Sequence, residues 1–154
     1  MIRVWRICKK KYAAFDGEGA RWAGGRWNHR GTAIVYTSAT LSLAALEYLV
    51  NVDATDGPAD LTAVSADIPD SISLEQLDIA DLPPNWRVYP APESLADLGT
   101  RWAREGRTAM LVVPSAVIPQ ERNYLLNPAH SNFKTIRVGS AEPFSFDPRT
   151  WKRP

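Results

Sequence analysis

The order of apolar and polar positions predicts a mixed set of strands and helices. From Ile2 to Cys8, bulky residues fall on both alternating faces (Ile2, Val4 and Cys8; Trp5 and Ile7), which predicts a central strand covered on both sides. Lys9, Lys10 and Lys11 end it as a solvated charge run. Thr32–Thr37 predicts a second strand, after which Ser38 or Thr40 can cap a helix over Leu41–Asn51. Asp60–Ile68 alternates as a third strand. Pro83, Pro84 and Pro90 punctuate a middle stretch with little regular signal. Glu93–Glu105 has the period of an amphipathic helix and stops at Gly106. Ala109–Val113 is a short apolar run that predicts a buried strand closed by Pro114, and Thr135–Val138 and Phe144–Phe146 predict two more short strands.

Strands and helices do not alternate regularly, so the expected fold is α+β: a mixed sheet with flanking helices. The 154 residues predict a single domain over 1–154, without repeats or a linker. Residues 16–31 read as a long loop holding five of the nine glycines, interleaved with Arg21, Trp22, Arg26 and Trp27. Loops of that length inside a compact domain are often functional.

Composition narrows the class. Hydrophobic residues at 45% and charged residues at 23% are ordinary for a folded domain and disfavour disorder. A net charge of +1 supplies no long-range pull toward nucleic acid or an anionic membrane. Cys8 is the only cysteine, which excludes an internal disulfide and a multi-cysteine zinc site and fits a reducing cytoplasm. The start Met1–Arg6 carries charge too early for a secretory leader, and the apolar stretch from Leu41 to Val50 is too short to span a bilayer.

Gly24-Gly25-Arg26-Trp27-Asn28 is the densest chemical signal. Paired glycines let a backbone approach a ligand while the guanidinium forks onto phosphate oxygens; a tight turn with a surface arginine is the plain alternative. Tyr36, near the end of its strand, either stacks on a flat base or is a core residue with its hydroxyl satisfied at the edge. Glu47 sits among Leu43, Ala44, Leu46, Tyr48 and Leu49 and needs a partner or a function, unless the stripe Thr40, Ala44, Glu47, Asn51 turns it to water. Ser115 and Asn127-Pro128-Ala129-His130 stand at strand ends or in ordinary turns. His29 and His130, the only histidines, lack metal-ligand company in the sequence, so no metal site is expected.

In this order the motifs resemble the RES domain family, named for its arginine, glutamate and serine. The resemblance runs from Trp5-Arg6-Ile7 to Ile136-Arg137-Val138. It rests on Gly19-Ala20, Gly24–Asn28, Val35-Tyr36-Thr37-Ser38, Ala45-Leu46-Glu47, Val113-Pro114-Ser115 and Asn123–His130. It implies an ADP-ribosyltransferase-like fold, a toxin of a bacterial toxin–antitoxin pair, and NAD⁺ as substrate. The implied catalytic residues are Arg26, Tyr36, Glu47 and Ser115; Arg6, Arg26, Tyr36 and Asn127 are the implied cofactor-binding residues. The implied partner is an Xre-type antitoxin with a helix-turn-helix domain, and exposed tryptophans would allow a homodimer. Ala45 stands where many protein-modifying transferases carry Gln or Glu, which favours water as acceptor and hence NAD⁺ hydrolysis. Two departures also stand out: Glu47 lies on an early helix rather than near a late strand, and Ser131 replaces a common proline. The competing expectations are a protein ADP-ribosyltransferase with the same site, and a non-enzymatic module that binds single-stranded nucleic acid through the Gly/Arg/Trp loop.

Overall fold

The computed structural model describes residues 1–52 and 59–150. Its elements run β1 (Ile2–Lys9), α1 (Glu18–Ala23), β2 (Val35–Ser38), α2 (Leu41–Asn51), β3 (Leu61–Ile68), β4 (Leu74–Gln76), α3 (Glu93–Glu105), β5 (Met110–Pro114), β6 (Arg122–Leu126), β7 (Arg137–Val138) and β8 (Glu142–Phe144). The strands form one sheet in the order β4-β5-β6-β2-β1-β3-β7, with β8 sharing the outer edge of β3. All pairs are antiparallel except β4–β5. That parallel pair needs a long crossover, and α3 lies within it. The chain is therefore an α+β domain, as its irregular alternation predicts.

The central strand β1 pairs with β3 over its whole length and with β2 on the other side. One face of the sheet carries Val4, Val35, Ala66, Met110, Val112 and Leu126 in a common core. On the opposite face, Leu111, Val113 and Leu125 pack with Trp27, Trp86 and with Leu95 and Trp102 of α3. Farther along that face Ile7 and Ala63 pack with Ala44 of α2. The run Met110–Val113 shows no alternation because successive residues enter two different cores.

Both long helices have the bounds predicted from the sequence. Thr40 caps α2: its side chain accepts from the Leu43 amide at 3.1 Å, a contact that contributes about 1 kcal/mol. α3 buries Leu95, Gly99, Trp102 and Ala103, spaced as one helical face, and ends at the left-handed Gly106.

Several predicted elements shift. β2 begins at Val35 rather than Thr32; Ile34 is buried but unpaired in the sheet. Residues Ser131–Thr135 form a 3-10 turn, leaving only Arg137–Val138 as strand β7. β8 lies at Glu142–Phe144, because Phe146 leaves the sheet to pack near Tyr48 of α2. The loop read over 16–31 contains the short helix α1, and neither β4 nor β6 is predicted from the sequence. Of the tryptophans, Trp27, Trp86 and Trp102 are core, Trp5 is half-buried and Trp22 is exposed; Trp151 lies outside the described residues. No described helix is long and apolar enough to cross a membrane.

Candidate active site around Glu47

α2 doubles back from the end of β2 and lies across the sheet. Leu43 and Ala44 are buried, and Glu47 follows them by four and three residues, so all three face inward. Ser42, Leu46 and Val50 form the outer stripe instead. The sequence left open whether Glu47 faces water; it is half-buried against the sheet.

Two side chains hold the carboxylate. Asn123 Nδ2 donates to Oε1 at 2.7 Å, and the Ser115 hydroxyl donates to the same oxygen at 3.2 Å. Ser38 stands beside them, its Oγ accepting from Asn123 Nδ2 at 3.2 Å, and favours the ionised carboxylate. The pairing register explains the convergence: Ser38 of β2 and Val113 of β5 both lie opposite Asn123 of β6, and Ser115 follows two residues after Val113. Directly opposed residues share a face, as do residues two apart. Burial pushes the Glu47 pKa up, opposed by these hydrogen bonds and reinforced by the nearby charge of Glu121.

Ser115 is fully buried. Its Oγ accepts from the amides of Val117 and Ile118, both at 3.1 Å, which aims its proton at Glu47. Ser115 therefore touches the carboxylate rather than open space. Asn123 and Ser38 belong to this site but were not singled out as site residues from the sequence. Their signal was cross-strand register, which one sequence does not display.

Arg26 projects from the turn after α1. Its Nη1 donates to the carbonyls of Trp86 at 2.8 Å and Val88 at 3.1 Å. Burial lowers its pKa, opposed by the charge of Glu47, so guanidinium and carboxylate share one electrostatic neighbourhood. The guanidinium has five N–H donors, and Nη1 alone makes these two bonds. The Tyr36 hydroxyl donates to Asn28 Oδ1 at 2.6 Å and accepts from the Trp27 amide at 3.0 Å. Burial raises its pKa strongly, so it stays a neutral phenol. Gly25 packs close behind it: a Cβ there would lie 2.7 Å from the Tyr36 oxygen, so a larger residue must displace the Tyr36–Asn28 pair.

The other two expected positions lie elsewhere. Arg6 alternates with Trp5 and Ile7, the residues that face α2, so it points to the opposite side of the sheet. Its guanidinium donates to the carbonyls of Tyr12 and Ala14. Asn127 follows β6 at the end away from Asn123; it is buried, donating to the Ala103 carbonyl and accepting from the Ala129 amide.

His29 finds company that the sequence hides. Its imidazole lies 2.6 Å from Asp97, and potential ligand atoms of His29, Glu93 and Asp97 all fall within 4.8 Å of one another. Glu93 and Asp97 are one turn apart on α3, sixty-odd residues from His29 in sequence. Two surface grooves meet at His29: one of about 350 Å³ beside Arg26, and one of about 510 Å³ along α3. Neither includes Glu47 in its lining.

A protein of Yersinia enterocolitica named "Toxin Res" is 40% identical over 152 residues, covering 96% of this chain and 99% of its own length. A Sphingobium protein named "Prs ADP-ribosylating toxin" is 38% identical over 151 residues, covering 94% of each chain. The fold is similar to a chain in the crystal structure of the M. tuberculosis MbcT-MbcA toxin-antitoxin complex, with a TM-score of 0.71, 17% identity, and coverage of 92% of this chain and 82% of that one. The family model described as the RES domain matches residues 3–147, and the chain belongs to the RES domain family.

Proposed function

We propose that the protein is the toxin of a toxin–antitoxin pair and that it cleaves NAD⁺ at the bond between nicotinamide and ribose. The observation that carries this reading is a half-buried carboxylate, Glu47, held by Asn123 and Ser115 beside Ser38, with the Arg26 cation in its field. The names of the relatives support the toxin assignment and the use of an ADP-ribosyl donor.

The bond chemistry accounts for each residue type. The C1′–N bond of NAD⁺ breaks, its electron pair leaves on nicotinamide, and the ribose passes through an oxocarbenium-like state. Nicotinamide departs neutral, so no strong acid is needed, and the step as written uses no metal. Water adds to C1′ and releases one proton. Glu47 accepts from the ribose hydroxyls and places negative charge near the developing cation. Arg26 takes the pyrophosphate with donors not spent on the Trp86 and Val88 carbonyls. Tyr36 offers its ring to nicotinamide, its hydroxyl being engaged within the protein. Ser115 and Asn123 are positioning residues that act through Glu47.

Water is the favoured acceptor. Ala45, which stands where a transferase would orient an acceptor, is apolar and packs with the cluster under α2. Transfer to a protein is the second reading, favoured by the Sphingobium relative's name. Labelled NAD⁺ added to the purified protein with cell lysate separates the two. Free ADP-ribose and nicotinamide are expected; a discrete labelled protein band would replace hydrolysis by transfer. No NAD⁺ consumption in either form would overturn both. Control would come from an antitoxin that covers the cleft, a small helix-turn-helix protein acting in the cytoplasm. The similar M. tuberculosis chain comes from a toxin-antitoxin complex, which supports such a partner.

A further inference from the structure

We propose that Arg87, an exposed residue outside the charged pair of the site, is a positioning residue that sets Ser115 against Glu47 through two peptide groups. The inference rests on the reading of Glu47 as the reacting carboxylate and adds the residue that governs its surroundings from the surface.

Arg87 follows the buried Trp86 in a turn closed by two backbone bonds, the Trp86 amide on the Pro83 carbonyl and the Val88 amide on the Asn85 carbonyl. Trp86 packs in one cluster with Leu111 and Val113 of β5, which fixes the turn beside the strand that ends just before Ser115. From there the Arg87 side chain reaches over the loop that follows β5. Its Nε donates to the Ala116 carbonyl at 2.9 Å, and its Nη2 donates to the Val117 carbonyl at 3.4 Å.

Those carbonyls are the far ends of the two peptide groups that serve Ser115. The Ala116 carbonyl and the Val117 amide belong to one planar group, and the Val117 carbonyl and the Ile118 amide belong to the next. The N–H ends of both groups donate to Ser115 Oγ at 3.1 Å. A planar group held at its oxygen is held at its nitrogen, so one guanidinium fork fixes both donors at once. Each bond also polarises the next: guanidinium on carbonyl, amide on hydroxyl, hydroxyl on carboxylate. The relay ends at Glu47 Oε1, 3.2 Å from Ser115 Oγ.

The same turn serves the other charged group of the site. The carbonyls of Trp86 and Val88, on either side of Arg87, accept from Arg26 Nη1. Three consecutive residues therefore hold the cation by their backbone and the donor to the carboxylate by a side chain. Arg87 acts in this way without touching a ligand. Arg26 and Glu121, the charged groups that act on Glu47, are left in the chain when Arg87 is changed.

The test reads the Glu47 carboxyl directly, by carbon-13 NMR titration of glutamate-labelled protein, its resonance assigned by its loss in Glu47→Gln. Arg87→Ala loosens the Ser115 donor on the ionised carboxylate, so the Glu47 pKa is expected to rise by about half a pH unit. In Ser115→Ala protein, where that donor is already gone, Arg87→Ala should add nothing. An unmoved titration in Arg87→Ala overturns the proposal. So does an equal shift with and without Ser115, which is the plain field of a lost charge. If Ser115→Ala does not fold, salt makes the same distinction: a shift that survives high salt upholds the relay, and one that salt abolishes overturns it. The acid limb of kcat/KM for NAD⁺ should move with the titration. If NAD⁺ is not cleaved, the proposed reaction fails, and the titration still decides the role of Arg87.

Discussion

At the scale of single residues the proposed chemistry turns on Glu47, whose surroundings make opposite demands on folding and reaction. Burial raises its pKa, so the folded state binds its proton more tightly than the unfolded chain. Above the ordinary carboxylate range the ionised form therefore costs stability, and the cost grows until pH passes the folded value. Glu47→Gln is expected to melt at a higher temperature than the parent at pH 7.5, with the difference shrinking as pH falls through about 4.3, where the carboxyl is protonated in both states. The same variant should lose on the order of a hundredfold in NAD⁺ cleavage. A Gln variant that is inactive and also less stable at neutral pH would show that the ion was a structural asset. The acid limb of kcat/KM should likewise fall with an apparent pKa above the ordinary glutamate value. Asn123→Ala removes the shortest bond to Oε1, which should move that limb to still higher pH. An unmoved limb would mean that Asn123 does not set the ionisation of Glu47. Ser115→Ala acts differently: it leaves the amides of Val117 and Ile118 without their acceptor, so chemical denaturation should show a loss of about 1–3 kcal/mol.

Between elements, the decisive contact is α3 against the turn that carries Arg26. Gly99 has an ordinary backbone, yet a Cβ on it would lie 1.8 Å from the Trp27 carbonyl oxygen. Gly99→Ala must push the helix away from Trp27 and strain Arg26 and His29 on either side. A loss of about 3 kcal/mol, at the upper end of ordinary overpacking, is expected in urea unfolding, with weaker substrate binding. Parental stability would mean that the turn yields without cost. The sequence displayed α3 plainly through its apolar spacing, but nothing local marked Gly99 as a contact point. The pattern is general in this chain. β1, α2 and α3 were legible because long apolar periods cross them. β6 was not, because it opens on the polar Arg122 and Asn123, the latter turned to Glu47, and only Leu125 and Leu126 are fully buried. α1 was hidden by Gly17 and Gly19, and it buries no residue fully. Arg26, Tyr36, Glu47 and Ser115 were named by family resemblance. The meeting of Ser115 with Glu47, and the inclusion of Ser38 and Asn123, came from the β2–β6–β5 register, which depends on contacts remote in sequence.

For the whole molecule, the helix that carries Glu47 is packed in part by the last described stretch of chain. α2 turns an inverted pattern to its surroundings: Leu46 and Val50 are 43% and 62% exposed while Glu47 is drawn inward. Burial of the helix's other apolar residues must therefore hold it down. Part of that hold comes from beyond β8. Phe146 stacks on Tyr48, the residue after Glu47, at 6.3 Å, and Phe144 meets Phe146 edge to face at 5.0 Å. Phe144 is itself fixed by pairing with Leu61 of β3. Residues nearly a hundred positions apart thus brace the helix that presents the carboxylate. Both phenylalanines are half-buried, so Phe146→Ala should cost less than full removal from a core, about 1–3 kcal/mol. The informative readout is the partition between stability and rate. If the brace positions Glu47, the folded variant should lose kcat for NAD⁺ at temperatures well below its melting point, and Phe146→Leu, which retains apolar bulk, should recover much of it. A variant that melts earlier but turns over at the parental rate would confine Phe146 to stability and leave the placement of Glu47 to Ser38, Ser115 and Asn123.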